Sequence, residues 1–200
     1  MANNRKKLYI LVSCLALMVA LLSGTYAYFS VSATNNNAIN GTVAGFDLDL
    51  VMSRVTTNGN LIPLQDDLVS NAVSEGCLID DDLVVCQIYE ITVSNNGNTG
   101  VTLDGTITLT ATTGSSISNL KWSKLSDAST YDSSATIHAM SSSNLVSDYY
   151  MDANSEEVFY IVVWDSYSED DGSTMDIGSY TGEMKFSTDD NGVITAKFGS

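Results

Sequence analysis

The stretch VTLDGTITLTA, residues 101–111, decides the fold class. Its hydrophobic side chains alternate with threonine and aspartate, so one face of an extended chain is apolar and the other is polar. The same alternation occurs in FDLDLVM (46–52), YEITV (89–93), YTGEMKF (180–186) and ITAKF (194–198). The stretch VFYIVVW at 158–164 is apolar on both faces, which is typical of a central strand. These patterns predict an all-β fold.

Turn signals separate the predicted strands. Asn-Gly pairs at 58–59, 96–97 and 191–192 favour positive φ angles and tight reversals. One short helix is expected between Pro63 and Val73, and the Ser/Thr/Asp-rich stretch 126–154 is expected to be a partly irregular excursion from the sheet. Seven or more short strands predict an antiparallel β-sandwich with few short helices.

The composition excludes several classes of protein. The 200 residues include 24 Asp and Glu against 8 Lys and Arg, a formal charge of −16. A nucleic-acid-binding protein needs a basic surface to neutralise phosphates, so no nucleic acid partner is expected. A hydrophobic content of 44% predicts a packed domain rather than a disordered chain. Because His138 is the only histidine, a metal site built from several histidines is impossible.

The N-terminus has the pattern of a secretory signal peptide, residues 1–27. Basic residues 5–7 precede an apolar run at 8–22, and small residues follow up to Ala27. At ~1.5 Å per residue a helical run of that length spans ~22 Å, short of a ~30 Å hydrocarbon core. The alternative is an uncleaved membrane anchor. After removal of residues 1–27, five basic residues face 24 acidic ones, a net charge of −19. The mature protein would then contact no membrane.

Two cysteines are spaced for a disulfide. If Asp81-Asp82 forms a two-residue turn, Cys77 lies opposite Cys86 in a pair whose Cα atoms are ~4.5 Å apart. Export would bring the pair into an oxidising environment. The alternative is two unpaired thiols. Cys14 lies within the signal peptide.

The sequence contains no convincing catalytic motif. It lacks His-Glu-x-x-His, a glycine-rich phosphate loop and a Gly-x-Ser-x-Gly elbow. His138 could belong to a Ser/His/Asp arrangement, but serine and aspartate are so abundant here that the match is uninformative. We expect a surface histidine, no catalytic residue, no enzyme and no cofactor.

Acidic clusters suggest calcium, because hard cations prefer oxygen ligands. The weak candidates are Asp165, Glu169, Asp170 and Asp171. Their spacing does not fit an EF-hand loop, and the alternative is a solvated loop that keeps an exported protein soluble. No specific metal site is therefore predicted.

Three segments resemble the TasA and camelysin family. SGTYAYFS at 23–30 resembles the end of SipW-type signal peptides, where small residues, threonine and an aromatic precede alanine and a phenylalanine follows soon after. The resemblance places cleavage between Ala27 and Tyr28. The asparagine-rich stretch at 35–42 and the strand and turn YEITVSNNG at 89–97 are also similar to the family. The match covers residues 1–50 and 87–111.

The resemblance implies a structural role. Family members are exported to the Gram-positive cell surface, form jelly-roll-like sandwiches and assemble into biofilm-matrix fibres. It therefore implies a secreted fibre subunit that is processed by a SipW-like signal peptidase and assembles mainly with copies of itself. Residues 43–200 would form the sandwich, and residues 28–42 an extended segment donated to a neighbouring subunit.

Strand donation also has a physical basis. An extended segment can satisfy an open sheet edge with main-chain hydrogen bonds, and head-to-tail contacts that do not close give filaments. The expected apolar anchors of the donor strand are Tyr28, Phe29, Val31 and Ala33. Alternatively, the segment is a floppy terminus or folds back onto its own sheet.

Two other functions remain open. One is a monomeric Ig-like surface binding module that uses loops such as 126–147. The less favoured one is a metalloprotease, because the camelysin branch of the family is known for that activity. With His138 alone, the sequence offers no evident set of zinc ligands.

Overall fold

The computed structural model describes residues 32–34, 39–43, 46–80, 82–113, 115, 117, 119–168, 177–189 and 191–200. The strands in these residues are β1 Ser32–Thr34, β2 Ile39–Val43, β3 Phe46–Arg54, β4 Leu78–Ile79, β5 Leu83–Val84, β6 Cys86–Asn95, β7 Val101–Ala111, β8 Leu120–Leu125, β9 His138–Ala139, β10 Ser143–Met151, β11 Ser155–Asp165, β12 Tyr180–Thr188 and β13 Val193–Gly199. A 3₁₀ turn, Asp66–Leu68, leads into the helix α1, Val69–Ser74, which ends one residue beyond the Pro63–Val73 range where a short helix was predicted.

The strands form two sheets that pack as a sandwich. One sheet has the order β1-β13-β12-β7-β10, and the other has the order β2-β3-β6-β11-β8-β9. Strands β4 and β5 form a separate small hairpin. Neighbouring strands of the two sheets are antiparallel, except for β1 and β13, which are parallel. The predicted all-β sandwich is confirmed.

The main core lies between the two sheets, as the alternation in β7 predicts. Leu103 and Ile107 are fully buried, whereas Thr108 and Thr110 on the other face are exposed. The five-stranded sheet therefore presents a polar outer face.

A second core explains why residues 158–164 are apolar on both faces. Strand β11 lies between β6 and β8, so it is central, as predicted. Its residues Ile161 and Val163 belong to the main core, while Val162 and Trp164 point to the opposite side. There they pack against side chains of the 61–77 segment, among them Leu64, Val69, Val73 and Cys77. This segment covers part of the outer face of the six-stranded sheet.

One carboxylate ties the 61–77 segment to the sheet beneath it. Oδ1 of Asp66 accepts hydrogen bonds from Trp164 Nε1 at 2.9 Å and Ser166 Oγ at 2.8 Å. Its Oδ2 lies 2.6 Å from Lys121 Nζ, an ion pair. Burial acts to raise the pKa of Asp66, but the hydrogen bonds from Lys121, Trp164 and Ser166 outweigh it and hold the pKa below the ordinary value of 3.8.

Asp66→Asn is expected to lower the free energy of unfolding by about 1–2 kcal/mol at neutral pH, allowing for partial exposure. A carboxyl whose pKa is lower in the folded state stabilises the fold above its unfolded-state pKa. That stabilisation is lost as the pH falls through the folded-state value. Urea unfolding of the variant should therefore depend less on pH below about pH 4 than that of the parent.

The matched control is Asp67→Asn, which removes the same charge from an exposed neighbour. It should leave the parent's acid dependence in place. Equal acid profiles for the parent chain and the Asp66 variant would contradict the assigned role of Asp66.

The Cys77–Cys86 disulfide is present, with Cα atoms 4.8 Å apart. The expected register of its hairpin is wrong by one residue, because Leu78 pairs with Val84 and Ile79 with Leu83. The loop consequently spans three residues, 80–82, rather than the Asp81-Asp82 turn. Asp80 adopts a φ of 52°, which aspartate tolerates and which permits the longer loop.

One local prediction is confirmed in part and another is corrected. The stretch 126–154, expected to be a partly irregular excursion, has no strand over 126–137, but it also contains β9 and β10, and β10 pairs with β7 as the edge strand of the five-stranded sheet. The Asn58-Gly59 pair does not join two strands but lies in the segment that follows β3. The pairs at 96–97 and 191–192 do connect strands, and Asn191 has a φ of 64°.

Candidate functional site at the β13 edge

The described part of the N-terminal segment contacts both sheets. Strand β1 pairs with β13, from Ser32 opposite Thr195 to Thr34 opposite Lys197. Strand β2 pairs with β3 in the other sheet. In the single chain, these residues therefore fold back onto their own sheets, which is the alternative arrangement expected for this segment.

Of the four expected donor-strand anchors, Ala33 is placed opposite Ala196 by the strand register. Tyr28, Phe29 and Val31 lie outside the described residues, as do the signal peptide and the Ala27–Tyr28 junction. Strand β1 spans three residues, whereas β13 spans seven. Among the described residues, β1 therefore pairs with only part of the β13 edge.

The C-terminal end of β13 is clamped to the opposite sheet by Arg54. The Arg54 guanidinium donates from Nη2 to the carbonyl oxygen of Gly199 and lies 5.7 Å from the centre of the Tyr89 ring. Gly199 has a φ of 150°, and a Cβ there would collide with the carbonyl oxygen of Tyr180. Only glycine therefore fits where the edge strand ends.

A buried polar cluster lies beneath this clamp. The Tyr89 hydroxyl donates to Gln87 Oε1 at 2.7 Å, and the Tyr180 hydroxyl lies 2.9 Å from the same oxygen. Gln87 Nε2 in turn donates to the carbonyl oxygen of Gly59. Burial raises the pKa of Tyr180 well above its ordinary value, so this hydroxyl stays neutral. The cluster joins β6 of one sheet to β12 of the other.

A cavity of about 250 Å³ opens beside the clamp. Its lining combines cationic and hydroxyl-bearing side chains, chiefly Arg54, Lys197, Thr181 and Ser200. A second groove of about 320 Å³ continues over the outer face of the five-stranded sheet, where Lys197 and Thr181 meet Thr108 and Thr110. Cationic and hydroxyl groups therefore meet in this part of the surface, beside Phe198 and Tyr180 in the cavity and Glu183 in the groove.

Two other candidate residues, His138 and Asp165, lie away from this edge. The His138 ring stacks on Trp122, with 4.3 Å between ring centres, and burial lowers the pKa of His138. Asp165 is buried, and its Oδ1 accepts a hydrogen bond from the backbone N–H of Asn119. The remaining calcium candidates, Glu169, Asp170 and Asp171, lie outside the described residues.

Neither a metal-binding cluster nor a membrane-spanning helix occurs in the described ranges. No group of three or more His, Cys, Asp or Glu side chains in those ranges is placed to hold a metal ion. No helix in the same part of the chain is long and apolar enough to cross a membrane.

Neither Arg54 nor Lys197 belongs to a motif that stands out in the sequence. The one available signal was the scarcity of basic residues after Ala27, five in all, against 24 acidic ones. Scarcity alone does not show that two of the five share a cavity. That proximity depends on how β3 and β13 are placed in the sandwich.

No protein-family model and no curated protein matches the chain. Among solved structures, a FixG-related protein from Vibrio parahaemolyticus is similar at 8% identity over 75% of this chain and 93% of that chain, with a TM-score of 0.35. The CARDB domain of the PF1109 protein from Pyrococcus furiosus, solved with di-metal ions, is similar at 13% identity over 79% of this chain and 94% of that chain, with a TM-score of 0.32. Spo0M, a sporulation control protein from Bacillus subtilis, is similar at 6% identity over 79% of this chain and 48% of that chain, with a TM-score of 0.35. At such low scores the likeness supports no statement about function.

Proposed function

We propose that this chain is an exported structural subunit of a cell-surface or biofilm-matrix fibre, assembled by donation of its N-terminal strand to the next subunit. The observation that supports the proposal is the pairing of β1 with β13. An edge that accepts residues 32–34 of its own chain can accept the same residues from another copy, because main-chain hydrogen bonds do not distinguish the source.

The geometry of the segment favours exchange over simple addition. In the single chain, β1 already occupies the β13 edge, so a donated strand would have to replace it. The replacement changes few contacts, since β1 contributes three residues to the sheet. Each subunit would give one strand and receive one, and such a heterologous contact propagates into a filament if it does not close into a ring.

The deciding experiment compares two purified chains by negative-stain electron microscopy over rising concentration. One begins at Tyr28, the form that the proposed cleavage releases, and the other begins at Gly41. We expect filaments from the first and dispersed particles from the second, because deletion of residues 28–40 removes β1, together with the first two residues of β2. Circular dichroism of the shorter chain checks that its sandwich still folds.

A peptide of residues 28–42, added to the shorter chain, provides the matched control. This peptide should bind the shorter chain. A scrambled peptide of the same composition should not bind, because it cannot pair with β13 in the same register. Dispersed particles from both chains would refute spontaneous assembly. They would favour a monomeric surface binding module, or a subunit that needs a helper protein.

A further inference from the structure

The five basic residues after Ala27 have different surroundings. Lys121 is paired with Asp66, and Lys124 lies over the Phe159 ring, 4.9 Å from its centre. The other three are Arg54, Lys185 and Lys197. None of them forms an ion pair with a carboxylate of the described residues. The chain contains 24 acidic residues, so it has many carboxylates that could have formed ion pairs with these three cations.

Two of these cations, Arg54 and Lys197, line the same cavity of about 250 Å³. Two cations that line one cavity make its potential more positive, so an anion bound there would be favoured. Arg54 enters this cavity as a fixed cation, since its Nη2 donates to the carbonyl oxygen of Gly199 and its guanidinium lies over the Tyr89 ring.

The chemistry of the lining selects the kind of anion. A guanidinium presents planar, paired donors that match a carboxylate, and an ammonium adds a point charge. Thr181 and Ser200 contribute hydroxyls to the same cavity. Glu183 lies opposite Lys197 on the neighbouring strand and lines the adjoining groove, yet the two form no ion pair. The Lys197 ammonium therefore makes no direct carboxylate contact within the described residues, and an incoming group would compete with Glu183 for it.

We propose that the Arg54–Lys197 cavity binds a carboxylate group. The carboxylate can come from a free organic acid or from an acidic side chain of a second copy of this chain. The second source rests on the proposed function, because it would make the cavity a contact between fibre subunits. The first source is independent of fibre formation.

Binding is tested on the full-length chain in a non-ionic detergent at low salt, where charges are least screened. The probes are sodium D-glucuronate and sodium acetate, with D-glucose as the neutral control. We expect saturable changes in the amide NMR signals of Gly199 and Ser200 with both carboxylates and none with glucose. Arg54→Gln and Lys197→Gln should each weaken binding about tenfold or more, the usual effect of losing a charge-assisted hydrogen bond.

Lys185→Gln is the matched control, since Lys185 is an exposed cation of the same sheet that does not line the cavity. It should bind like the parent chain. Lys197 is exposed on β13, so Lys197→Gln remains informative if Arg54→Gln fails to fold.

Sedimentation velocity of the same proteins, with and without glucuronate, separates the two sources. If self-association falls in both cavity variants and on addition of glucuronate, a second copy supplies the carboxylate. If glucuronate binds while self-association is unchanged, a free acid is the ligand. The proposal is overturned if carboxylates act no differently from glucose and both cavity variants self-associate like the parent. Strand donation is judged separately, by filament loss on deletion of residues 28–40.

Discussion

Phe186→Ala is expected to lower the free energy of unfolding by about 3–5 kcal/mol, the usual cost of truncating a buried aromatic side chain. Phe186 is 1% exposed at the centre of the main core, and its ring lies 6.3 Å from that of Phe159 in the opposite sheet. It also lies close against Gly105 of β7, where no side chain can fill the space that truncation would leave. Urea denaturation would measure the loss.

Tyr150→Ala is the control for Phe186→Ala, because this aromatic side chain is 62% exposed on β10. Its substitution should cost less than about 1 kcal/mol. Domains of this kind are stabilised by about 5–15 kcal/mol in total, so the Phe186 variant should unfold at markedly lower urea. Similar losses in both variants would contradict a core centred between the two sheets.

Loss of the Cys77–Cys86 disulfide is the second large expected effect. Replacing both cysteines with alanine should lower the free energy of unfolding by roughly 2.5–3 kcal/mol, because a loop of about ten residues is no longer closed in the unfolded chain. Both residues are fully buried in the second core, so some packing is lost as well. The 61–77 segment should loosen from the sheet first.

The parent chain serves as its own control for the disulfide. Under reducing conditions it should be nearly as unstable as the double variant, while the variant should not respond to reductant. Intact mass after alkylation, with and without prior reduction, should differ by two labelled thiols in the chain that begins at Tyr28. No difference would show that the bond is not formed in solution.

Strands with one buried face and one solvent-exposed face were predictable from the sequence. In β7, β12 and β13 the side-chain alternation matches the observed burial residue by residue, because each lies in a sheet with one face on the core. Strand β10, SNLVSDYYM, was missed because its pairing with β7 shifts register twice. Asp148 there has a φ of 50°, so the chain does not keep a period of two.

The candidate site was less predictable than the fold. The N-terminal segment was identified from its position and composition, but its parallel pairing with β13 depends on contacts between the two ends of the chain. The Arg54 clamp joins residues 145 positions apart in sequence. No local pattern carries such information, since periodicity describes only which face of a strand is buried.

The order of synthesis gives the parallel pair a further consequence. Strand β1 is among the first described residues to leave the ribosome, and β13 is the last strand to do so. At about 5–20 residues per second, β1 waits on the order of ten seconds for its own partner edge. Under the proposed function the chain crosses the membrane unfolded, and β1 emerges outside the cell before β13 in the same order. Until β13 follows, β1 lacks its partner strand, and the β13 edge of a completed copy nearby would compete for it. A high local concentration of completed subunits at the cell surface would then bias which edge β1 joins.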